Sequence, residues 1–201
     1  EVGPGKGYLT EFLIKKKPSK LILIEKDRQL ETVLTNLIKN KSIKIKLIIE
    51  DALKISINKL SKNKIVLIGN LPYNVATTLI LNWLRYIHSF ESIVVMVQKE
   101  VASRLSAKEK TKHYGRTSVL AQVVADVKIK FDVAPENFFP KPKVHSSVIE
   151  IIPKEKIKFN YKKLDKFLKL SFMHKRKTLK NNLSKISSNI EEKIYKCGVN
   201  P

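Results

Sequence analysis

The chain has 201 residues, a hydrophobic content of 43% and a formal net charge of +22, from 40 Lys and Arg against 18 Asp and Glu. That length holds one large domain, alone or with a small appendage, and the apolar content supplies a sizeable core. No stretch approaches the ~18 uncharged apolar residues of a membrane span, a single cysteine (Cys197) excludes an internal disulfide and fits a reducing cytosol, and the scattered His88, His113, His145 and His174 give no ligand spacing for a structural metal. A lysine-rich codon bias would raise glutamate as readily as lysine, so the one-sided excess points to a polyanionic partner, nucleic acid before membrane.

In chain order, Glu1-Val2-Gly3-Pro4-Gly5-Lys6-Gly7 reads as the tail of a strand feeding a glycine-rich turn, with a helix at Tyr8–Ile14. Apolar runs of strand length follow at Leu21–Glu25, Ile45–Ile49, Ile65–Gly69 and Ile93–Val97. Helical spacing separates them at Arg28–Ile38 and Thr77–Ile87. Strands alternating with helices argue for a mostly parallel sheet covered on both faces. Val127–Val133 and Val144–Ile152 lack a long helix between them and read as an antiparallel edge pair. Three prolines in Ala134–Lys143, which joins them, suggest a rigid loop without regular structure. Beyond Pro153 the charge rises to 14 basic against 4 acidic residues over 154–201, and apolar residues recur at helical intervals (Leu164, Phe167, Leu168, Phe172). The expected organisation is an α/β domain over 1–153 and a small basic helical domain over 154–201. Both ends read as interior points of a longer chain.

Three strand ends carry the chemistry. The G-x-G-x-G spacing of Gly3, Gly5 and Gly7 differs from the G-x-G-x-x-G of a pyrophosphate loop and suits a ligand without phosphates. Glu25 ends its apolar run about 20 residues past the glycines, where a carboxylate accepts both hydroxyls of a ribose. Asp51 follows Ile45–Ile49 in the same way and can accept from an adenine amine. Together they describe an adenosine pocket. Asn70-Leu71-Pro72-Tyr73 then places an amide, a carbonyl of fixed direction and an aromatic ring at the end of Ile65–Gly69.

The series EVGPGKGYLTEFL, LIEKD, EDAL and GNLPYN resembles the class I S-adenosylmethionine-dependent methyltransferases, with their Rossmann-like fold. More narrowly, it is similar to the rRNA adenine N6,N6-dimethyltransferases, a group that includes the small-subunit KsgA branch and the Erm resistance enzymes. QKEVASRL, YGRTSVLAQ, PENFFPKPKVHSSVIEI and HKRKTLKNNL extend the resemblance to the KsgA branch over nearly the whole chain. The resemblance implies S-adenosylmethionine as cofactor. Gly3, Gly5 and Gly7 would pass under its methionine part with Glu1 bracing the turn, Glu25 would bind its ribose, and Asp51 with the backbone of Ala52 would read its adenine. Asn70 and the Leu71 carbonyl would accept from the N6 amine of the target adenine, with Tyr73 and Phe138 on its two faces. Two departures stand out: His145 occupies the place of the family's Asp after PKV, and the family's N-terminal FGQNFL-like segment is not in this sequence.

The implied partner is rRNA in a small-subunit particle, bound by a cytoplasmic monomer without membrane contact. Lys108, Lys110, Lys112 and Arg116, around Tyr114-Gly115, and Lys175, Arg176, Lys177 and Lys180, expected on a helix, are the candidate phosphate contacts. Three other readings remain: an NAD-dependent oxidoreductase, against which the glycine spacing and Asn70–Tyr73 argue, an Erm-type enzyme of large-subunit rRNA, and a non-catalytic rRNA-binding assembly factor.

Overall fold

The computed structural model describes residues 1–155, 160–174, 176–184, 186 and 189–199. From the glycine turn the chain enters α1 (Tyr8–Lys15), β1 (Lys20–Glu25), a 3-10 turn and α2 (Glu31–Ile38). β2 (Lys44–Ile49) then pairs in parallel with β1, from Lys20 opposite Lys44 to Glu25 opposite Ile49. β3 (Ile65–Asn70), α3 (Ala76–Leu84) and β4 (Phe90–Gln98) form a β-α-β unit in which β3 and β4 are parallel. After α4 (Lys99–Leu105) and α5 (Arg116–Val124), β5 (Ala125–Val133) and β6 (Ser146–Pro153) pair antiparallel, and β6 also lies antiparallel to β4. The described C-terminal helices are α6 (Tyr161–Ser171), α7 (Leu179–Leu183) and α8 (Ile190–Lys196).

Val2 unites the strands into one sheet. It forms parallel bridges to Ile24 of β1 and to Gly69 of β3. Its N–H donates to Ile68 O (2.9 Å), Ile24 N–H donates to Glu1 O (3.0 Å) and Gly3 N–H to Ile24 O (2.9 Å). The lateral order is therefore β2-β1-Val2-β3-β4-β6-β5. Strand order reverses at Val2, so a crevice opens there at the carboxyl ends of the parallel strands, the place where open α/β sheets bind ligands. The glycine turn begins at that crevice.

The core explains why these runs became strands. Leu67, Ile93, Val95, Val97, Ile149 and Ile151 are buried in the sheet, and Leu79, Ile80, Trp83 and Leu84 of α3 pack on it in one cluster. Burying each such side chain contributes about 1.5–3 kcal/mol.

Several boundaries differ from expectation for local reasons. Asp27 accepts from Gln29 N–H (2.9 Å) and starts a 3-10 turn at Arg28–Leu30, so α2 begins only at Glu31. α3 stops at Leu84, and a separate 3-10 turn at Ile87–Ser89 buries Ile87. The loop after β5 is not wholly irregular: Pro135 opens a 3-10 turn at Pro135–Asn137, in a position where its missing N–H costs nothing. β6 begins at Ser146 rather than Val144, where its partner β4 gives way to α4 after Gln98; Lys99 N–H still donates to the His145 carbonyl (2.9 Å). α4 and α5 lie where no element was expected. α5 buries Ser118, Leu120, Ala121 and Val124, a set without the single apolar stripe that marks a surface helix.

Of the C-terminal helices, α6 docks on α5, α7 packs on α6 and α8 on α7. The Arg116 guanidinium donates from Nε (2.8 Å) and Nη2 (2.5 Å) to Asp165 Oδ1 on α6, and Tyr114 meets Phe172 edge to face with centroids 6.1 Å apart. Asn160 caps α6 by accepting from Lys163 N–H (3.0 Å).

Candidate active site

Four strand tips carry the expected site residues. At the first, the turn is left-handed at Gly3, Gly5 and Gly7. The Glu1 carboxylate accepts from Thr10 Oγ1 (2.6 Å) and ties the turn's start to α1. Burial pushes the Glu1 carboxyl above its usual range, and the Thr10 bond opposes that shift.

Glu25 is buried at the tip of β1. Its Oε1 accepts Lys26 N–H (2.7 Å) and Asp27 N–H (2.9 Å), and its Oε2 accepts Gly5 N–H (3.0 Å). A carboxylate offers about four lone-pair positions. Three are used, and the remaining one is on Oε2, the oxygen that also holds the glycine turn. The carboxylate thus has room for one ribose hydroxyl as it stands; taking both requires Gly5 N–H to yield. Beside it, the side on which a Cβ of Gly5 would stand is open, with no atom within 4 Å. An acceptor beside bare backbone fits the sugar of an adenosine-type cofactor.

Asp51 follows β2. Its Oδ1 accepts Leu53 N–H (2.9 Å) and its Oδ2 pairs with Lys26 Nζ (2.9 Å) from the neighbouring strand tip. The Leu53 N–H, and then the Lys26 ammonium, hold its carboxyl below the usual range, so it is an ionised acceptor at neutral pH. Ala52 is partly buried next to it, packed on the core.

Asn70 ends β3 and is exposed. Leu71 is buried, with its N–H on Met96 O (3.1 Å), and its carbonyl takes no backbone hydrogen bond among the described residues. The Asn70 carboxamide also makes no hydrogen bond to a described residue. Pro72 O receives Val75 N–H (3.2 Å) and Ala76 N–H (3.0 Å), which turns the chain directly into α3 and fixes the tetrapeptide at the sheet edge. Asn70–Tyr73, with Phe138, Pro140 and Pro142 opposite, line a cleft of about 330 Å³. The two predicted aromatic residues are therefore brought together in one cavity with the two predicted acceptors. Glu25, Asp51 and the glycines lie along the same sheet edge, outside this cleft.

Two contributors escaped the sequence reading. Ser146, fully buried at the head of β6, hydrogen-bonds the Tyr73 hydroxyl at 2.7 Å and fixes the ring that floors the cleft. No local pattern marks it, because its partner lies 73 positions away. Gly69 was readable: a glycine inside a strand run signals close approach of another backbone, and here a Cβ would stand 2.6 Å from the Val2 carbonyl oxygen.

The candidate phosphate contacts divide. Lys108, Lys110 and Lys112 are exposed between α4 and α5 and make no ion pair among the described residues. Arg116 opens α5 and is engaged by Asp165. Arg176 and Lys177 are exposed but precede the helix they were expected to lie on: Thr178 accepts from Asn181 N–H (3.3 Å) and α7 starts at Leu179. Lys180 is on α7 and pairs with Glu191 at 2.5 Å. Lys175 lies outside the described residues.

Residues 1–201 match the family described as ribosomal RNA adenine dimethylase. The ribosomal RNA small subunit methyltransferase A of Ehrlichia ruminantium (strain Gardel) is 42% identical over 201 residues, covering 99% of this chain and 77% of its own. The protein of the same name from Wolbachia pipientis wMel is 41% identical over 193 residues, 95% of this chain and 68% of its own. Among solved structures, a dimethyladenosine transferase from Plasmodium falciparum superposes with a TM-score of 0.80 at 29% identity, over 97% of this chain and 70% of that one. The 23S rRNA methyltransferase ErmE, at 19% identity and a TM-score of 0.73 over 98% of this chain and 80% of its own, shares the fold. With its Rossmann-like class I methyltransferase sheet and its match from end to end, the chain belongs to the ribosomal RNA adenine dimethylase family.

Proposed function

We propose that this chain transfers methyl groups from S-adenosylmethionine to the N6 amine of adenine in small-subunit rRNA, twice on the same nitrogen. The observation that carries the reading is the cleft at the tip of β3, where the Asn70 side chain and the Leu71 carbonyl, two acceptors without hydrogen-bond partners among the described residues, line an adenine-sized space with Tyr73 and Phe138.

The cofactor supplies an electrophilic methyl on a sulfonium. The residues that would hold it are the glycine turn, Glu25 toward its ribose, and Asp51 with the Ala52 backbone toward its adenine. Adenine N6 is a weak nucleophile because its lone pair is delocalised into the ring. In the first transfer Asn70 Oδ1 and the Leu71 carbonyl accept from its two N–H groups and turn the amine out of the ring plane, which localises the lone pair; the methylated nitrogen then releases one proton to solvent, and in the second transfer its remaining N–H is held by one of the same two acceptors. Pro72 fixes the direction of the backbone there, and positioning supplies the rest. Glu25 and Asp51 are committed to other donors, and neither serves as general base. Tyr73 and Phe138 stack on the extruded base and offset part of its unstacking cost, at roughly 1–3 kcal/mol per base.

Residues 1–153 form the catalytic domain and residues 154–201 a basic helical domain that helps hold the ribosomal particle. Lys108, Lys110, Lys112, Arg176 and Lys177 take phosphates, with smaller shares from Arg116 and Lys180, whose charges are already paired. The protein works in the cytoplasm as a monomer. Primer extension across small-subunit rRNA from a deletion strain tests the reading. A stop at dimethyladenosine, absent from the deletion and restored by this chain but not by its Asn70→Ala variant, supports it; an unchanged pattern of stops refutes it.

A further inference from the structure

The segment Phe138–Lys143 alternates. Phe138, Pro140 and Pro142 line the cleft, while Phe139, Lys141 and Lys143 between them are exposed and do not. It is a thin wall with an apolar inner face and an outer face that carries one aromatic ring and two ammonium groups. Phe139 is the most exposed large apolar side chain among the described residues, at 103%.

A single exposed phenylalanine is ordinary on a protein surface. This one differs in where it stands and in the backbone that carries it. Pro140 and Pro142 restrict the backbone on its C-terminal side. On its N-terminal side the 3-10 turn Pro135–Asn137 is tied by Asn137 Nδ2 to Ala134 O (3.2 Å) and by Lys141 Nζ to Glu136 Oε1 (2.6 Å). Lys141 is thereby occupied, whereas Lys143 makes no ion pair among the described residues. An exposed ring on a backbone restricted by prolines, four residues from a cation without an ion pair among the described residues, offers the pairing that single-stranded nucleic acid recognises: a base on the ring, its phosphate on the cation. The need for such a surface also arises here. Extruding one base into the cleft strips its neighbour of a stacking partner, and that neighbour arrives at the rim of the wall.

We infer that Phe139 is a stacking platform for the RNA base adjacent to the target adenine, with Lys143 facing the phosphate. The wall parts the two nucleotides: the target adenine stacks inside on Phe138, and its neighbour stacks outside on Phe139. The inference rests on the adenine-methylation reading above and assigns Phe139 a positioning role, since the ring never touches the reacting nitrogen.

The test is a two-by-two cycle in small-subunit particles reconstituted on splint-ligated rRNA. Parent and Phe139→Ala protein are each assayed on intact RNA and on RNA with an abasic site immediately 5′ or 3′ of the methylated adenine. Phe139→Ala is expected to raise KM for the particle about 5- to 150-fold, the range that corresponds to one stacked base, with kcat within about twofold and S-adenosylmethionine affinity unchanged. One of the two abasic sites reproduces the defect in the parent protein and adds nothing to the variant, and Phe139→Trp restores KM. Because the ring is fully exposed, none of these substitutions removes core packing. Unchanged KM in Phe139→Ala overturns the inference, as do losses that multiply at both neighbours, which would mean that Phe139 touches something else, such as a ribosomal protein. In either case the parent still methylates intact particles. A parent that methylates no adenine refutes the functional reading itself.

Discussion

Replacing Gly69 by alanine tests whether Val2 joins the sheet as described. Alanine's Cβ would stand 2.6 Å from the Val2 carbonyl oxygen and 3.3 Å from Leu71 Cδ2, whereas ordinary contact begins at 3.4 Å. The backbone must open by about 0.8 Å on the Val2 side. Val2 cannot drift freely, because its N–H is bonded to Ile68 O (2.9 Å) and the adjoining Gly3 N–H to Ile24 O (2.9 Å). Overpacking of this kind costs about 1–3 kcal/mol. For a chain of this size that lowers Tm by about 2–12 °C. The movement is passed to the glycine turn and weakens S-adenosylmethionine binding. The opposing effect has the other sign: without the close approach, glycine-to-alanine inside a strand stabilises by about 0.5–1 kcal/mol. Thermal unfolding followed by circular dichroism, with cofactor titration by calorimetry, separates the two. A Gly69→Ala protein with unchanged or higher Tm and unchanged cofactor affinity would refute the placement of Val2 between β1 and β3.

Other outcomes follow from single contacts. Tyr73→Phe keeps the ring and loses the bond to Ser146 Oγ (2.7 Å), so kcat/KM falls about 2- to 13-fold, the equivalent of one neutral hydrogen bond; Ser146→Ala does the same, and the double variant is no worse than the product of one loss, because the two residues share one interaction. Glu25→Gln replaces a carboxylate that accepts from three backbone N–H groups and weakens cofactor binding measured by calorimetry about 10-fold or more, by about 1.5–3 kcal/mol for a charge-assisted bond; equal affinity would remove Glu25 from the cofactor site. Burial, and then the Asp165 carboxylate, push the Tyr161 hydroxyl up to about 12. The folded state therefore holds this proton more tightly than the unfolded chain, whose tyrosines titrate near ~10. The stability tied to it is complete below pH ~10 and is lost as pH rises toward 12. Denaturant unfolding of Tyr161→Phe should lack that component of the alkaline loss.

The parallel half of the fold was legible because each strand is a short apolar run with a polar residue at its end or just past it, and Glu25, Asp51 and Asn70 were singled out by that rule. Residues that depend on distant partners were not. Nothing near Ser146 signals a tyrosine 73 positions earlier. Nothing in Glu25 itself shows that three backbone N–H groups fill most of its acceptor capacity and leave room for one hydroxyl. Lys180 and Arg116 looked like free cations because Glu191 and Asp165, their counter-charges, are reached only by folding. Lys177 was expected on a helix from its spacing, yet the Thr178 cap starts α7 after it. Gly69 lay within reach of the sequence, and its meaning became definite only once Val2 was found beside it.

The central claim is that Asn70 and the Leu71 carbonyl activate the amine at the β3 tip. The most direct measurement is single-turnover methyl transfer to rRNA by the Asn70→Ala protein, with S-adenosylmethionine affinity determined separately. Loss of one positioned transition-state contact costs about 10²- to 10³-fold. The account therefore requires the transfer rate to fall by at least about 100-fold with cofactor affinity changed only a few-fold. Transfer at near the parent rate, or a loss explained wholly by weaker cofactor binding, would contradict it.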